Sequence, residues 1–154
     1  MKSIYAFFGF SALVVSLTAV SFAEVTVHEL QGTWKGYCRP NSSPASSLCA
    51  FDFTNDRGTY RGTFSCDEYS DLRCESLQKA GAQKAEFSYH FLPDNKVKFV
   101  YPSGNEFSEV ISRLSISHDV LTETGISVKD AKGKESRAAG IPQYYTRAKR
   151  DLSK

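Results

Sequence analysis

Several absences bound this chain before any feature does. After the apolar run that ends near Val20, no second long hydrophobic stretch or stop-transfer pattern follows, so a spanning membrane protein is not expected. An excess of one charge is also missing. The 19 basic and 17 acidic side chains are spread along the chain, which argues against nucleic acid or a membrane surface as partner. The cysteines form no C-x-x-C pair of the kind that zinc favours, and His28, His90 and His118 lie far apart with no ligand-like neighbour. No metal and no cofactor is therefore expected. No serine occupies a Gly-x-Ser-x-Gly elbow, and Glu106 and Glu109 carry no warrant as a catalytic pair, so the chain reads as something other than an enzyme. Internal repeats and interdomain linkers are absent as well.

What is present begins with an export signal. Lys2 precedes an apolar stretch from Ile4 to Val20, and Ser21-Phe22-Ala23 supplies the small residues that signal peptidase requires. Residues 1–23 read as a signal peptide with cleavage before Glu24, and the absence of a nearby cysteine removes a lipid anchor. Removing those 23 of 154 residues leaves 131, enough for one domain with a sizeable core, so 24–154 is read as a single periplasmic or secreted domain.

Cys38, Cys49, Cys66 and Cys74 all lie in the mature chain, and an even number in an exported protein favours disulfides. Three connectivities are possible. Local closure favours Cys38 with Cys49 and Cys66 with Cys74, because each pair brackets a loop rich in turn formers.

From Gln31 onward short runs alternate with period two between clusters of Gly, Pro, Asn, Asp and Ser, which is a pattern of strands. In Lys84 to Leu92, residues Ala85, Phe87, Tyr89 and Phe91 share one face while Lys84, Glu86, Ser88 and His90 share the other. After the turn formers Pro93-Asp94-Asn95, Lys96 to Tyr101 continues with Val97, Phe99 and Tyr101 inward. Strands are likewise expected over Gly32 to Cys38, Leu48 to Thr54, Gly58 to Cys66, Glu106 to Ser117, Val120 to Val128 and Gln143 to Arg147. Asp67 to Ala82 shows no alternation and reads as a loop with a short helical turn at Glu75 to Ala80, and Lys129 to Gly140 reads as a surface loop. About eight strands joined by short reversals describe an all-β, antiparallel up-and-down sheet that closes into a disulfide-stapled barrel, with a β-sandwich as the alternative.

The first strand opens with Gly32-Thr33-Trp34 and the last ends with Tyr144-Tyr145-Thr146-Arg147. This layout resembles the calycin superfamily, the lipocalins and their lipocalin-like bacterial relatives. The resemblance implies an eight-stranded barrel in which Trp34 packs across the closed end and a basic residue, here Arg147, lies over its ring. It also implies a small apolar ligand.

Parity sends Tyr60, Phe64, Phe87, Tyr89, Phe91, Phe99 and Tyr101 to one interior, where they either fill a dry core or line a ligand pocket. The hairpin members Phe87, Tyr89, Phe99 and Tyr101 are the expected ligand panel, entered from the end opposite Trp34. Arg61 falls outside by parity, and Asn41-Ser42-Ser43 is a surface glycosylation acceptor in form only. The leading functional reading is an exported carrier of a small hydrophobic molecule. The second is an inhibitor or immunity-type module acting on an exported enzyme, with Glu24 to Glu29 as a projecting arm or the start of a strand.

Overall fold

A computed structural model describes residues 24–42 and 45–149, of which 41 and 42 are described in their backbone alone. The signal-peptide assignment and the glycosylation acceptor lie outside the described residues or side chains. One short helix, α1 (Val27–Leu30), precedes ten strands: β1 (Gly32–Gly36), β2 (Arg39–Ser42), β3 (Ala45–Asp56), β4 (Thr59–Tyr69), β5 (Leu77–Leu92), β6 (Lys96–Val100), β7 (Phe107–Ser117), β8 (Val120–Asp130), β9 (Glu135–Arg137) and β10 (Pro142–Arg147). All pairings are antiparallel. Going round, β1 pairs β3, then β4, β5, β6, β7, β8 and β10 follow, and β10 returns to β1, so eight strands close a barrel. Strand β2 hangs on the edge of β3, and β9 on β8. Closure removes most of the free edge that an open sheet would carry.

The reversals at 55–58, 93–95 and 118–119 gather at one end of the barrel with α1. His118 and Asp119 both take positive φ, the two-residue geometry that suits a right-twisted hairpin. The opposite end is built from longer connections at 70–76, 101–106 and 131–141, together with β2.

The closed end is the more densely apolar one. Leu30, Trp34, Phe53, Tyr89, Val97, Leu114 and Leu121 are all essentially inaccessible to solvent. The indole Nε1 of Trp34 donates to the Leu30 carbonyl at 2.8 Å, so the ring is buried with its polar atom satisfied. Arg147 faces Trp34 in the register of β10 against β1, with its guanidinium 4.2 Å from the ring centroid. The same guanidinium donates to the carbonyls of Gln31 and Glu29 at 2.8 and 2.6 Å, satisfying acceptors at the end of α1. Gly32 joins α1 to β1 at φ +108°, which a side chain would disfavour. On β4, Gly62 leaves room for the Phe87 ring, whose Cζ would lie 2.5 Å from an added Cβ.

Four local expectations are corrected. Residues 24–29 form neither a projecting arm nor a strand: Thr26 and Glu29 make a capping box for α1, Val25 is buried, and its N–H donates to Asn95 Oδ1 at 3.1 Å. Residues 77–82 are not loop or helix but the first half of β5. They extend past the barrel beside β4, exposed on nearly every side, which is why alternation vanishes there. The segment 129–140 is not loop throughout, because β8 runs on to Asp130 and β9 folds back on it. The fourth concerns the cysteines. All four are bonded, but as Cys38–Cys74 and Cys49–Cys66 rather than in local pairs. Cys49 and Cys66 stand directly opposite on the β3–β4 hairpin, and Cys38 joins the β1–β2 junction to the 70–76 loop. Both bridges therefore staple the open end.

Candidate functional site

Strand tilt and parity together decide which interior side chains seal the barrel and which line its mouth. Phe51 on β3 marks the division. Its ring meets Phe53, Phe87 and Phe99 on the deep side, and Phe64 and Tyr145 toward the mouth. Beyond it opens a cavity of about 730 Å³, walled by Phe51, Phe64, Val110, Val128 and Tyr101, with Phe107 and Ile141 at the rim. That volume falls within the range of small-molecule sites.

The sequence-based panel divides at this boundary. Phe64 and Tyr101 line the cavity. Phe87, Tyr89 and Phe99, the other expected members of the panel, are no more than 3% exposed and sit in the core cluster, off the wall of this cavity. The Tyr89 hydroxyl donates to the Thr54 carbonyl at 3.3 Å, toward the closed end. Tyr60 and Phe91 pack against Tyr89 in the same deep cluster. Parity assigned the correct face but not the depth along the barrel.

The polar centre of the cavity was not anticipated. Glu123 on β8 points inward from the position two after Leu121, and its carboxylate accepts from Ser112 Oγ at 2.7 Å and from the Tyr145 hydroxyl at 3.5 Å. Ser112 is fully buried on β7, where a β-bulge shifts the register between Ile111 and Ser112. Arg39 on β2 also lines the cavity, with its guanidinium 5.9 Å from the Tyr145 ring centroid. Four strands, β2, β7, β8 and β10, thus assemble one polar cluster against aromatic walls. The period-two rule does place Glu123 on the same face as Leu121, and that was the available signal.

Burial dominates the electrostatics. It raises the Glu123 carboxyl above the usual carboxylate range, opposed by the hydrogen bonds from Ser112 and Tyr145 and by the positive field of Arg39. Tyr145 is pushed up to about 12, first by burial and then by the Glu123 charge. Tyr101 is raised for the same two reasons. Both phenols are neutral donors at physiological pH, and no histidine lines the cavity.

Two other depressions lie outside the barrel. One, of about 440 Å³, covers the outer face of β3 to β6 around Arg61, which is exposed as parity predicts. The other, of about 1010 Å³, surrounds Arg147 at the closed end and includes His28, Asp119 and His118. It is larger than the mouth cavity but ringed by charged, solvated groups. The mouth cavity better joins apolar walls to a few convergent polar atoms. His90 is exposed, as are the carboxylate of Glu106 at the rim and the side chains of His28 and His118. No helix among the described residues is long and apolar enough to cross a membrane, and the two disulfides suit an oxidising compartment.

No protein-family model, curated protein or solved structure shows a significant match to the chain.

Proposed function

We propose that this is an exported lipocalin-like protein, related to the calycins, that holds one small amphipathic molecule in the open end of its barrel without transforming it. The observation that carries this reading is the pairing of a cavity of about 730 Å³, aromatic and aliphatic on its walls, with Glu123 and Tyr145 on its lining, Glu123 held from behind by the buried Ser112. An apolar body gains by leaving water against Phe51, Phe64, Val110 and Val128, and a polar end finds partners that are already held in place. Kinship to the calycins is supported by the closed eight-stranded barrel together with Trp34 under Arg147. Binding without catalysis is favoured because Ser112, the hydroxyl beside the Glu123 carboxylate, is fully buried and so is not presented to a bound molecule. Periplasmic or secreted residence is supported by the leader-like sequence of residues 1–23 and by the two disulfides.

A protein-binding module is the second reading. It is favoured by apolar side chains exposed near the open end: Tyr37, Leu72, Leu77 and Ile141. Native mass spectrometry of the protein purified from its own host separates the two. A stoichiometric adduct of small-molecule mass supports the carrier reading, and a co-purifying protein with no such adduct supports the second.

A further inference from the structure

Within the carrier reading, the charges that face the cavity narrow the chemistry of the ligand's polar end. Glu123 and Arg39 line the same cavity, whose other charged residues, Lys84 and Glu106, stand exposed to solvent at its edge and are screened there. The ion pairs among the described residues are Lys96–Asp94 and Arg147–Asp119, so Glu123 and Arg39 are not bonded to one another. They nevertheless sense each other, because the Arg39 charge favours the ionised form of Glu123. Tyr145 lies beside both, donating to Glu123 and carrying the Arg39 guanidinium near its ring. The arrangement is an acceptor and a donor of opposite charge, held apart in a site with apolar walls.

We propose that the ligand's polar end is uncharged and carries both a hydrogen-bond donor and a carbonyl acceptor, as an acyl carboxamide does, with its N–H directed to Glu123 and its C=O to Arg39. This rests on the carrier reading and specifies its ligand class. An alkylammonium head would satisfy Glu123 but bring a like charge toward Arg39, and a carboxylate head would do the reverse. Either would leave one net charge in a largely apolar cavity, where uncompensated charge is costly. A carboxamide complements both partners and adds no charge. Its acyl chain lies against Phe64, Val110 and Val128.

The test is titration of the folded, oxidised protein at neutral pH with decanamide, decanoate and decylamine, which share a chain length and differ in the head. Wild type is expected to bind decanamide about tenfold more tightly than either charged probe, the scale of one well-placed hydrogen bond to a charged group. Glu123→Gln leaves Arg39 uncompensated and is expected to shift the preference toward decanoate. Arg39→Gln leaves Glu123 uncompensated and is expected to shift it toward decylamine. The emission of the single tryptophan, Trp34, buried against Leu30, checks that each variant is folded. Decanoate or decylamine binding wild type as tightly as decanamide overturns the head-group assignment, as does a ranking that both variants leave unchanged. If none of the three probes binds wild type, the head-group assignment is overturned as well; the carrier reading falls only when fatty acids, retinoids and isoprenoids also fail to bind, a result distinct from a wrong ranking.

Discussion

Arg147 lies over the face of Trp34, 4.2 Å from the ring centroid, and the same guanidinium bonds two carbonyls at the end of α1 and Asp119 at 3.0 Å. The closed end is thus held by one cation that serves a ring, a helix terminus and a hairpin. Its exposed pair with Asp119 adds little, because solvent screens it. The stacking and the carbonyl bonds are the larger contributions.

Trp34→Ala should lower stability by about 3 to 5 kcal/mol, the range for removing a large buried aromatic ring. Arg147→Lys should also destabilise, since an ammonium cannot stack flat on the indole while reaching two carbonyls. Urea unfolding followed by circular dichroism checks both. Native wild-type emission should be blue-shifted and poorly quenched by iodide, and a red-shifted, readily quenched spectrum would contradict the burial of Trp34.

Peptide mapping under non-reducing conditions should recover Cys38 linked to Cys74 and Cys49 linked to Cys66. Replacing Cys49 and Cys66 together by Ala should cost about 3 kcal/mol, as expected for a bridge closing a loop of that size. Recovery of a Cys38–Cys49 peptide would contradict the β3–β4 register.

Glu123 gives stability a pH dependence whose sign is determined by burial. Its folded carboxyl titrates above the ordinary 4.5, so between that value and its raised one the folded state holds a proton that the unfolded state has lost. Stability should therefore fall as pH rises through that window and be unaffected by this group below it. In Glu123→Gln the fall should vanish, so the variant gains on wild type as pH increases. Denaturation midpoints of the two proteins measured across the acid range decide this, and parallel profiles would contradict it.

Much of the barrel was legible in the sequence because β5 beyond Lys84 and β6 alternate fully buried residues with more accessible ones. The exposed half of β5 at 77–82 buries neither, so no periodicity marked it. The disulfide pairing was available in principle. Cys49 and Cys66 stand equally far from Asp56 and Thr59, the last pair before the hairpin turn, but a preference for short loops obscured that register. The site was less accessible. Period two places Glu123 inside, yet an inward carboxylate reads as a conflict until Ser112 from β7 and Tyr145 from β10 are brought to it, and only the closed topology does that. Depth was the other missing quantity: Tyr89 and Tyr101 are equivalent by parity, but one is sealed in the core and the other lines the mouth.

The contrast between those two tyrosines gives the most direct test of the claim that the open end of the barrel holds a small amphipathic molecule. The measurement is a fluorescence titration of wild type, Tyr101→Phe and Tyr89→Phe with fatty acids, retinoids, isoprenoids and decanamide. At least one compound should bind wild type saturably at one per chain. Tyr101→Phe, which deletes a hydroxyl at the cavity wall, should weaken that binding by about 0.5 to 1.5 kcal/mol. Tyr89→Phe should leave it unchanged, because that hydroxyl is engaged with the Thr54 carbonyl. No saturable binding by any compound, or an equal loss in both variants, would contradict the claim.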